Sequence, residues 1–452
     1  MPRRALLIAL LQLVGAASLE ATPATQWAAG YNNANCEAHP HAGQELDGGG
    51  WLMVGDSVCW DGSASYDRAV FVVVAEADGA ERWSRTLGDL GFNYGKFGSQ
   101  LGDGTLLVAG VKSVVDDAVK KDYAYIEKRA MWRLDAATGD VLGSHVFEND
   151  GKADGLRDGF MAATPDRNEP LTVYATGFLG GDSGYDPSAK TYDDDPMFLI
   201  GGGTAFVEKL QFSQNASAAP TTLYRRMFND TKGFTARQGM RVFHAPGHQS
   251  VVASAASNPD GDDGFQFSAF ALNASTGDVL WSKLFKTETG SHPYALTLAE
   301  NEDVVIAGLA VPDDRQPEGR VVRASINNGS KIWDKRRTDR ETTDYNVECY
   351  GVAPTPSGGF VVTCGDGPMT PPRSFDCHER TWTAYLYELD GDGTFLWATN
   401  LTNASAACLN DAGEFVAAAK DGGYSVFVDS STLGAAGTGG NFGLVRLGAE
   451  RG

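Results

Sequence analysis

A short strand-like segment, usually centred on tryptophan, recurs along the whole chain of 452 residues. Consecutive copies lie 52 to 81 residues apart. The seven central residues are Trp27, Trp83, Gly143, Tyr224, Trp281, Trp333 and Trp397. Self-similarity at periods of this kind is typical of chains built from stacked structural repeats.

Two further strand patterns precede each later copy in a fixed order. The second of them alternates apolar and polar residues, and a turn rich in Asn, Asp and Gly then leads to the tryptophan segment, as in residues 135–142 and 273–280. The first is almost continuously apolar, which is typical of an inner strand covered on both faces. It ends at or near a small residue, namely Gly55, Gly110, Gly177, Ala255, Gly308, Gly365 and Ala419.

A further strand-like segment precedes the first pattern, so each unit holds four short strands. Seven such units predict an all-β protein, a seven-bladed β-propeller of four-stranded antiparallel blades. The last unit lacks a tryptophan segment, whereas Trp27 lies in one that precedes the first unit. We therefore expect the N-terminal strand to join the last blade and close the ring without an unpaired edge. The alternatives are an open β-sandwich or two smaller domains. The expected single domain covers residues 24–449, with blades at about 32–88, 91–150, 151–230, 231–287, 288–338, 339–403 and 404–449, and the closing strand at 24–30.

Residues 270–283 resemble the repeat of the pyrroloquinoline-quinone-like (quinoprotein-like) propellers, in which an Ala-x-Asp-x-x-Thr-Gly-x-x-x-Trp pattern docks one blade on the next. The matching residues, with asparagine in place of aspartate, are Ala271, Asn273, Thr276, Gly277 and Trp281. Quinone-dependent members usually carry eight blades, a pair of adjacent cysteines and a calcium site, and this sequence has no adjacent cysteines. It resembles instead the secreted, cofactor-free members, which implies a scaffold or binding module with no cofactor.

The N-terminus predicts export. Residues 1–17 combine Arg3 and Arg4 with an apolar run and small residues, which is the pattern of a signal peptide. The run is shorter than the roughly 20 residues that span a bilayer, so we expect a secreted protein, or one in the lumen of the secretory pathway, without a membrane span. Sequons predict N-glycosylation at Asn215, Asn229, Asn273, Asn328, Asn400 and Asn403.

Six cysteines without a CxxC spacing favour disulfides over a metal site in an oxidising compartment. They are Cys36, Cys59, Cys349, Cys364, Cys377 and Cys408. Pairs Cys36–Cys59 and Cys364–Cys377 would each brace one loop locally, and Cys349–Cys408 then remains as the residual pair.

The balance of charges limits the partners. A formal net charge of −21 argues against nucleic acid, because nucleic-acid binders need basic patches that displace counterions. A hydrophobic content of 42% is enough for a substantial core, which excludes wholesale disorder. We expect a protein or glycan ligand, with a monomer as the default state.

Long connections between second and third strands fall on one face of the predicted ring, where loops on a rigid scaffold commonly carry function. On this long-loop face, Asn258, Asp260, Asp262 and Asp263 offer oxygen ligands that would suit calcium, and the alternative is a solvated acidic loop. His39 and His41 share a face of an extended strand and could ligate a metal, but the sequence shows no third ligand for them.

No GxSxG elbow, HExxH helix or GxxxxGK[ST] loop occurs in the sequence, so no catalytic residue is predicted. We expect a non-catalytic binding or scaffold protein that uses its long-loop face. The alternative is an extracellular, carboxylate-dependent glycan hydrolase or lyase on the same face. Two or three buried carboxylates of raised pKa at the mouth of the axial channel, beside a His, Tyr or Arg, would favour the enzyme.

Overall fold

A computed structural model describes most of the chain as strands. The described residues are 22–33, 36–59, 67–88, 93–114, 126–148, 157–181, 185–186, 191–192, 203–228, 231, 233–259, 264–287, 289–312, 317–337, 345–368, 381–401, 409–433 and 441–451. Over these ranges the one helical element is a short 3₁₀ turn at Pro246–His248. The predicted all-β class is therefore confirmed, and the predicted signal peptide lies outside the described residues.

Within the described residues, thirty-one strands follow one another in chain order. They are β1 (Pro23–Tyr31), β2 (Glu37–Glu45), β3 (Trp51–Cys59), β4 (Asp67–Ala75), β5 (Glu81–Leu87), β6 (Tyr94–Gln100), β7 (Leu106–Val114), β8 (Ile126–Leu134), β9 (Val141–Val146), β10 (Arg157–Pro165), β11 (Thr172–Gly181), β12 (Tyr185–Asp186), β13 (Thr191–Tyr192), β14 (Thr204–Gln211), β15 (Thr221–Met227), β16 (Phe234–Ala245), β17 (Ser250–Pro259), β18 (Gln266–Asn273), β19 (Val279–Phe285), β20 (Gly290–Leu298), β21 (Val304–Val311), β22 (Glu318–Ala324), β23 (Lys331–Arg336), β24 (Tyr345–Pro354), β25 (Phe360–Pro368), β26 (Thr381–Leu389), β27 (Phe395–Asn400), β28 (Leu409–Asn410), β29 (Ala412–Ala418), β30 (Tyr424–Ser430) and β31 (Asn441–Arg451).

The long strands form seven four-stranded antiparallel sheets within the described ranges. Their strand orders are β2-β3-β4-β5, β6-β7-β8-β9, β10-β11-β14-β15, β16-β17-β18-β19, β20-β21-β22-β23, β24-β25-β26-β27 and β29-β30-β31-β1. One parallel bridge between Arg157 and Glu127 links the second sheet to the third. The short strands β12 and β13 pair with each other, and β28 pairs in parallel with β26.

The first strands of the seven sheets contact one another in chain order, and the last of them, β29, contacts the first, β2. The last sheet draws its fourth strand from the other end of the chain, because β1 pairs antiparallel with β31 from Pro23 to Tyr31. This arrangement of sheets around a common axis is that of a β-propeller. It brings side chains of seven separate strands close to the axis.

Apolar side chains fill the space between neighbouring sheets. The second strand of each sheet is covered on both faces, as the continuous apolar pattern predicts: every residue from 51 to 58 on β3 is buried. Valines on the first sheet, such as Val54 and Val72, share one buried cluster with Val108 and Trp132 of the second. Each sheet therefore depends on its neighbour for its core.

The tryptophan segments dock each sheet on the next one. The Trp83 Nε1 donates a hydrogen bond to the Ala136 carbonyl oxygen, 3.0 Å away in the turn between β8 and β9. The same bond recurs from Trp281 Nε1 to Ile326 O at 2.6 Å and from Trp333 Nε1 to Gly391 O at 3.0 Å. The repeated tryptophan is thus an intersheet packing residue.

Trp27 makes the same kind of contact from β1. Its indole covers Gly79, in the turn between β4 and β5 of the first sheet, and a Cβ on that glycine would lie 2.8 Å from the ring. Gly79 has φ of +87°, a conformation that other residues rarely adopt. The Tyr31 hydroxyl donates to the Gly79 carbonyl oxygen at 2.7 Å. The last sheet therefore docks on the first as the other sheets dock on their successors.

Two of the seven central residues, Gly143 and Trp397, do not dock on the next sheet in this way. At Gly143 a Cβ would lie 2.1 Å from the Ala216 carbonyl oxygen, so the turn of the third sheet leaves no room for a side chain. Trp397 bonds instead to its own sheet, donating to Glu388 Oε2 at 2.6 Å. The sheet that follows it joins β31 to β1 from opposite chain ends, so no hairpin turn is available there.

One strand assignment from the sequence is wrong. The apolar segment ending near Ala419 was expected to be the second strand of its unit, but it forms β29, the first strand. The second strand is β30. Both segments are short and apolar, and the turn that separates them follows the predicted segment instead of preceding it.

Candidate functional site

Each first strand contains a β-bulge at an equivalent position. A bulge inserts one residue that has no partner on the neighbouring strand, and it re-aims that residue's side chain. On β2, for example, Pro40 pairs with Gly55 and Ala42 with Val54, which leaves His41 unpaired. The seven bulged residues are His41, Lys96, Met161, Met240, Tyr294, Tyr350 and Glu414.

All seven bulged residues and Arg241 line one cavity, which we call the axial pocket. Its cavity volume is about 40 Å³, and it is open to solvent, so it has room for a small group of a larger ligand. Each sheet thus contributes one side chain, except the fourth, which contributes Met240 and Arg241. Residues up to 373 positions apart in the chain meet here.

Small residues on the second strands create this geometry. A Cβ at Gly55 would lie 1.9 Å from the His39 carbonyl oxygen, and one at Gly110 would lie 1.8 Å from that of Tyr94. At these two positions the bulge brings the first strand so close that only glycine fits opposite, whereas the fourth sheet has Ala255 at the equivalent position. Gly177 and Gly308 occupy the same position in the third and fifth sheets.

The wall of the axial pocket is divided into three sectors. Glu414, His41 and Lys96, from the last, first and second sheets, form a polar sector. Met161 and Met240 form an apolar sector in the third and fourth sheets. Tyr294 and Tyr350 form an aromatic sector, with ring centroids 5.0 Å apart. A ligand here would meet charged, apolar and aromatic groups together.

Arg241 crosses the axis. Its Nη2 donates to the carbonyl oxygen of His41 on the first sheet at 3.4 Å, and its Nη1 donates to those of Met161 at 3.2 Å and Met240 at 3.1 Å. Burial lowers the pKa of this guanidinium to about 10, although Glu414 acts in the opposite direction, so Arg241 is charged at neutral pH. The arginine therefore joins the fourth sheet to the first and third, and adds a positive charge to the lining of the pocket.

Further polar groups lie towards the end of the sheets where the second strands lead into the long connections. His39 Nδ1 lies 2.7 Å from Asp429 Oδ2, which joins the first sheet to the last. Burial acts to lower the pKa of His39, but the Asp429 carboxylate raises it to about 10. Burial raises the pKa of Asp429, while His39 opposes this. The pair therefore retains a proton at neutral pH.

His41 is held neutral. Burial, helped by Lys96, lowers its pKa to about 4, although Asp56 acts to raise it. His41 Nε2 donates to Asp56 Oδ1, and Arg68 Nη1 donates to Asp56 Oδ2 at 3.3 Å. Burial acts to raise the pKa of Asp56, but the neighbouring His41 and Arg68 hold it well below its usual value. His41 is thus oriented by a carboxylate behind it.

Glu414 is the one carboxylic acid among the pocket's lining residues. It makes no hydrogen bond or ion pair with any described residue, and it is partly exposed to the pocket. Burial raises its pKa well above 4.5, and the negative charge of Asp429 adds to this effect. A protonated carboxyl group at this position can donate a hydrogen bond or a proton.

Tyr350 is oriented from behind in the same way. Its hydroxyl donates to Glu348 Oε2, and Asn346 Nδ2 donates to Glu348 Oε1 at 2.7 Å. Burial and the charge of Glu348 raise the pKa of Tyr350 well above 10, so its hydroxyl stays protonated. The carboxylates of raised pKa that would favour an enzyme are therefore present in Glu414 and Asp429, beside histidine, tyrosine and arginine.

The predicted calcium loop is only partly described. Asn258 lies near the end of β17, where its Oδ1 accepts a hydrogen bond from Arg237 Nε at 3.2 Å. Asp260, Asp262 and Asp263 lie outside the described residues, so this site stays a prediction. In the part of the chain that is described, no group of three or more His, Cys, Asp and Glu residues is placed to hold a metal ion.

The predicted histidine pair and sequons have varied surroundings. His39 and His41 flank Pro40 but contact different carboxylates, as described above. Among the sequons, Asn215, Asn328 and Asn400 are exposed. Asn273 is only half-exposed, and its Oδ1 accepts hydrogen bonds from the backbone N–H groups of the turn that it caps. Asn229 and Asn403 lie outside the described residues.

One disulfide joins Cys349 to Cys364, and this corrects the predicted pairs Cys364–Cys377 and Cys349–Cys408. These two residues lie directly opposite each other on the antiparallel strands β24 and β25, with Cα atoms 3.9 Å apart. Cys36 is also disulfide-bonded, and the register that pairs Glu37 with Val58 places it across from position 59. The pair Cys36–Cys59 stays a prediction, and Cys377 and Cys408 lie outside the described residues.

Of the eight pocket residues, only His41 was singled out from the sequence. The signal that could have found the others is the small residue that ends each second strand. In five sheets this small residue pairs with a residue of the first strand, and the next residue along the first strand is the one that lines the pocket. The small residue and the pocket residue are Gly55 and His41, Gly110 and Lys96, Gly177 and Met161, Ala255 and Met240, and Gly308 and Tyr294.

Comparison with known proteins does not identify a family. No family model and no curated protein matches the chain. Among solved structures, the Dos1 propeller aligns over 96% of each chain with 9% identity and a TM-score of 0.45. Sqt1 from Chaetomium thermophilum aligns over 90% of this chain and 86% of its own, with 11% identity and a TM-score of 0.44.

A quinohemoprotein alcohol dehydrogenase from Comamonas testosteroni aligns over 93% of this chain and 76% of its own, with 11% identity and a TM-score of 0.43. Likenesses this distant carry no argument about chemistry.

Proposed function

We propose that residues 24–449 form a single, closed seven-bladed propeller in which the seven sheets are the blades. Three observations support this: the first strands contact one another in a cycle, β1 pairs with β31, and Trp27 covers Gly79 as the other aromatic residues cover the next turn. A closed ring leaves no first strand exposed and makes the axial pocket a shared space.

We also propose that the protein is an acidic glycoprotein of the secretory pathway or the extracellular space, similar to the cofactor-free quinoprotein-like propellers. The signal-like N-terminus, the sequons and the buried Cys349–Cys364 disulfide support this proposal, because disulfides persist in oxidising compartments. No helix in the described part of the chain is long and apolar enough to cross a membrane.

Within this scaffold, the function best supported is binding of a ligand, from a protein or a glycan, whose terminal group enters the axial pocket from the long-loop face. One observation carries the proposal: seven equivalent bulges present different side chains to one space, which the charged side chain of Arg241 also lines. A purely structural position would repeat from sheet to sheet, as the tryptophan does. Concave sites lined by apolar and a few polar groups are the usual form of ligand sites.

This proposal can be tested with the full chain purified from the medium of eukaryotic cells. A glycan array screens for ligands, and calorimetry with each hit compares the wild type with Met240→Trp, which fills the apolar sector. Leu280→Ser is the matched control, because Leu280 is 55% exposed on an outer strand. We expect Met240→Trp to lose binding and Leu280→Ser to keep it. Hits that bind both variants equally would place the site elsewhere.

A second candidate, a carboxylate-dependent glycan hydrolase or lyase, is favoured by the raised pKa of Glu414. A glycosidase needs a protonated carboxyl group as general acid, and a lyase needs a base and a group that stabilises an enolate. Incubation with a panel of polysaccharides, followed by mass spectrometry, would reveal cleavage. We expect Glu414→Gln to abolish any cleavage while retaining binding. If no panel member is cut, the binding function stands alone.

A further inference from the structure

We propose that the axial pocket recognises the carboxylate of an acidic sugar, of the uronic or sialic acid type, with Arg241 as its principal cation. This inference rests on the proposed function of the pocket as a ligand site. It adds the chemical class of the ligand and the residues that select it.

Arg241 differs from the other buried arginines. In the part of the chain that the structure describes, five others are at least nine-tenths buried, and each has a carboxylate partner. These pairs are Arg129 with Glu208, Arg133 with Asp103, Arg157 with Glu127, Arg320 with Asp334 and Arg446 with Asp421. Arg241 is 8% exposed and forms no ion pair with any described residue. Glu414 acts on Arg241 electrostatically but forms no ion pair with it, and a buried charge without an ion-pair partner is costly. A ligand anion would complete this site as Asp and Glu complete the others.

The hydrogen bonds of Arg241 leave donor capacity for a ligand. Its Nη atoms bond only to backbone carbonyl oxygens, those of His41, Met161 and Met240. Its Nε is buried and has no partner among the described residues. Guanidinium groups present five donors in a plane that matches a carboxylate. The arginine is therefore fixed in place by the backbone and still able to bind an anion.

The rest of the polar sector has the matching charge. Lys96 is 5% exposed and lines the pocket beside His41, with its Nζ 4.9 Å from the centre of the Tyr94 ring. Two cations, Arg241 and Lys96, thus face a space with a single carboxyl group, in a chain whose net charge is −21. The carboxylates behind the lining, Asp56, Asp429 and Glu348, are bonded to His41, His39 and Tyr350, so an anion that enters the pocket would meet the two cations.

Glu414 does not oppose an anion when it is protonated, because a neutral carboxyl group can donate its proton in a hydrogen bond to a carboxylate. Its pKa is raised by burial. Ionisation of Glu414 at high pH would place a negative charge beside the ligand. The charged and titratable groups around it come from six strands. They are Asp429 from β30, His39 from β2, Glu348 and Tyr350 from β24, Tyr294 from β20, Lys96 from β6 and Arg241 from β16.

The remaining sectors favour a sugar as the carrier of the carboxylate. The rings of Tyr294 and Tyr350 and the side chains of Met161 and Met240 form one apolar cluster at the pocket. A sugar presents apolar C–H faces as well as hydroxyl groups, so it can contact this cluster while its carboxylate reaches Arg241. A peptide C-terminus carries the same anion without the hydroxyl groups, and the test includes it.

Calorimetry with the full glycosylated chain tests the class of ligand. The probes are glucuronic acid, galacturonic acid and N-acetylneuraminic acid, with glucose and galactose as neutral counterparts and the dipeptide Ala-Ala as a carboxylate without a sugar. We expect at least one acidic sugar to bind roughly tenfold to a hundredfold more tightly than its neutral counterpart, which is the usual effect of a charged hydrogen bond. Equal binding of neutral and acidic sugars would overturn the carboxylate assignment, and tighter binding of Ala-Ala would overturn the sugar assignment.

Two variants locate the cations. Lys96→Met and Arg241→Met should each weaken binding of the acidic sugar by about tenfold or more, whereas Leu280→Ser should not. If Arg241→Met fails to fold, Lys96→Met still decides the test. Unchanged affinity in a folded Arg241→Met, or in Lys96→Met if Arg241→Met does not fold, would overturn the inference. If neutral glycans bind and Met240→Trp abolishes their binding, only the proposed ligand class is overturned. If no ligand binds on the array or in calorimetry, the proposed function is overturned as well.

Discussion

The fourth strand of each sheet, which we call the outer strand, and the bulge on the first strand recur at equivalent positions in every sheet. The two positions differ in how far their side chains repeat. On the outer strands, Trp83 and Trp281 make the same bond to the next sheet. At the bulges, the backbone repeats but the side chains range from Lys96 to Met161 and Glu414. The side chain that repeats on the outer strands is one that stabilises the packing of the sheets. The side chains that vary at the bulges line the axial pocket, which is where a function can differ between proteins of one fold.

Removing a docking tryptophan should have the largest effect on stability. Trp281 is 9% exposed and bonds to the next sheet, so Trp281→Ala should cost about 3–5 kcal/mol of unfolding free energy through lost burial and the resulting cavity. Chemical denaturation followed by circular dichroism measures this. Below the transition, ligand binding in the axial pocket should be unchanged. A variant that keeps its stability would show that the intersheet docking is not what the repeated tryptophan provides.

Loss of the Cys349–Cys364 disulfide should have the next largest effect. The two residues are 15 positions apart, and closing a loop of about that size stabilises a protein by about 3 kcal/mol. The double variant Cys349→Ala/Cys364→Ala should lose roughly that amount in denaturant unfolding. Peptide mapping without reduction should recover the crosslink between these cysteines. Recovery of Cys364 joined to Cys377 would restore the pairing expected from the sequence.

A side chain added opposite a bulge should affect both the stability of the sheets and the axial pocket. In Gly110→Ala the new Cβ would lie 1.8 Å from the Tyr94 carbonyl oxygen, so the backbone beside Lys96 must move. We expect a cost of about 1–3 kcal/mol and weaker ligand binding, because Lys96 is displaced. Gly48→Ala is the matched control, since a Cβ there meets no atom within 4 Å. Equal behaviour of the two variants would remove the link between the small residues and the pocket.

The pH dependence of stability should report on Glu414 with a smaller effect. Burial raises its pKa in the folded state, so the folded protein binds this proton more tightly than the unfolded chain does. The contribution is fully present below about pH 4.3, the ordinary value for glutamate, and it is lost as the pH rises through the folded-state pKa. Glu414→Gln should therefore gain stability relative to the wild type as the pH increases. A difference between the two that does not change with pH would show that Glu414 titrates normally.

The sequence predicts the repeated parts of the fold because repetition makes the same physical requirement visible several times. The tryptophan at the outer strand and the glycine of the turn that it covers are examples. The last unit was harder to assign, because Ala412–Ala418 and Tyr424–Ser430 are both short and apolar, and neither alternation nor length distinguishes a first strand from a second.

The axial pocket could not be predicted as a site because its residues share no chemical type and lie far apart in sequence. Only the backbone geometry joins Lys96 to Glu414, and its trace in the sequence is the glycine or alanine on the neighbouring strand. The disulfide pairing could not be predicted for a related reason. The cysteine spacing suggests pairs that brace single loops, whereas the register of β24 and β25 places Cys349 opposite Cys364.

Methyl spectroscopy of the methionine side chains tests most directly whether the bulged residues of separate sheets share one ligand site. Among the methionines that the structure describes, Met161 and Met240 are the two that line the axial pocket. With methyl-labelled protein, titration of the acidic sugar should shift the Met161 and Met240 resonances together, at one common affinity, and leave the buried Met53 and Met131 unchanged. Saturating binding that shifts neither Met161 nor Met240, or only one of them, would contradict a shared axial site.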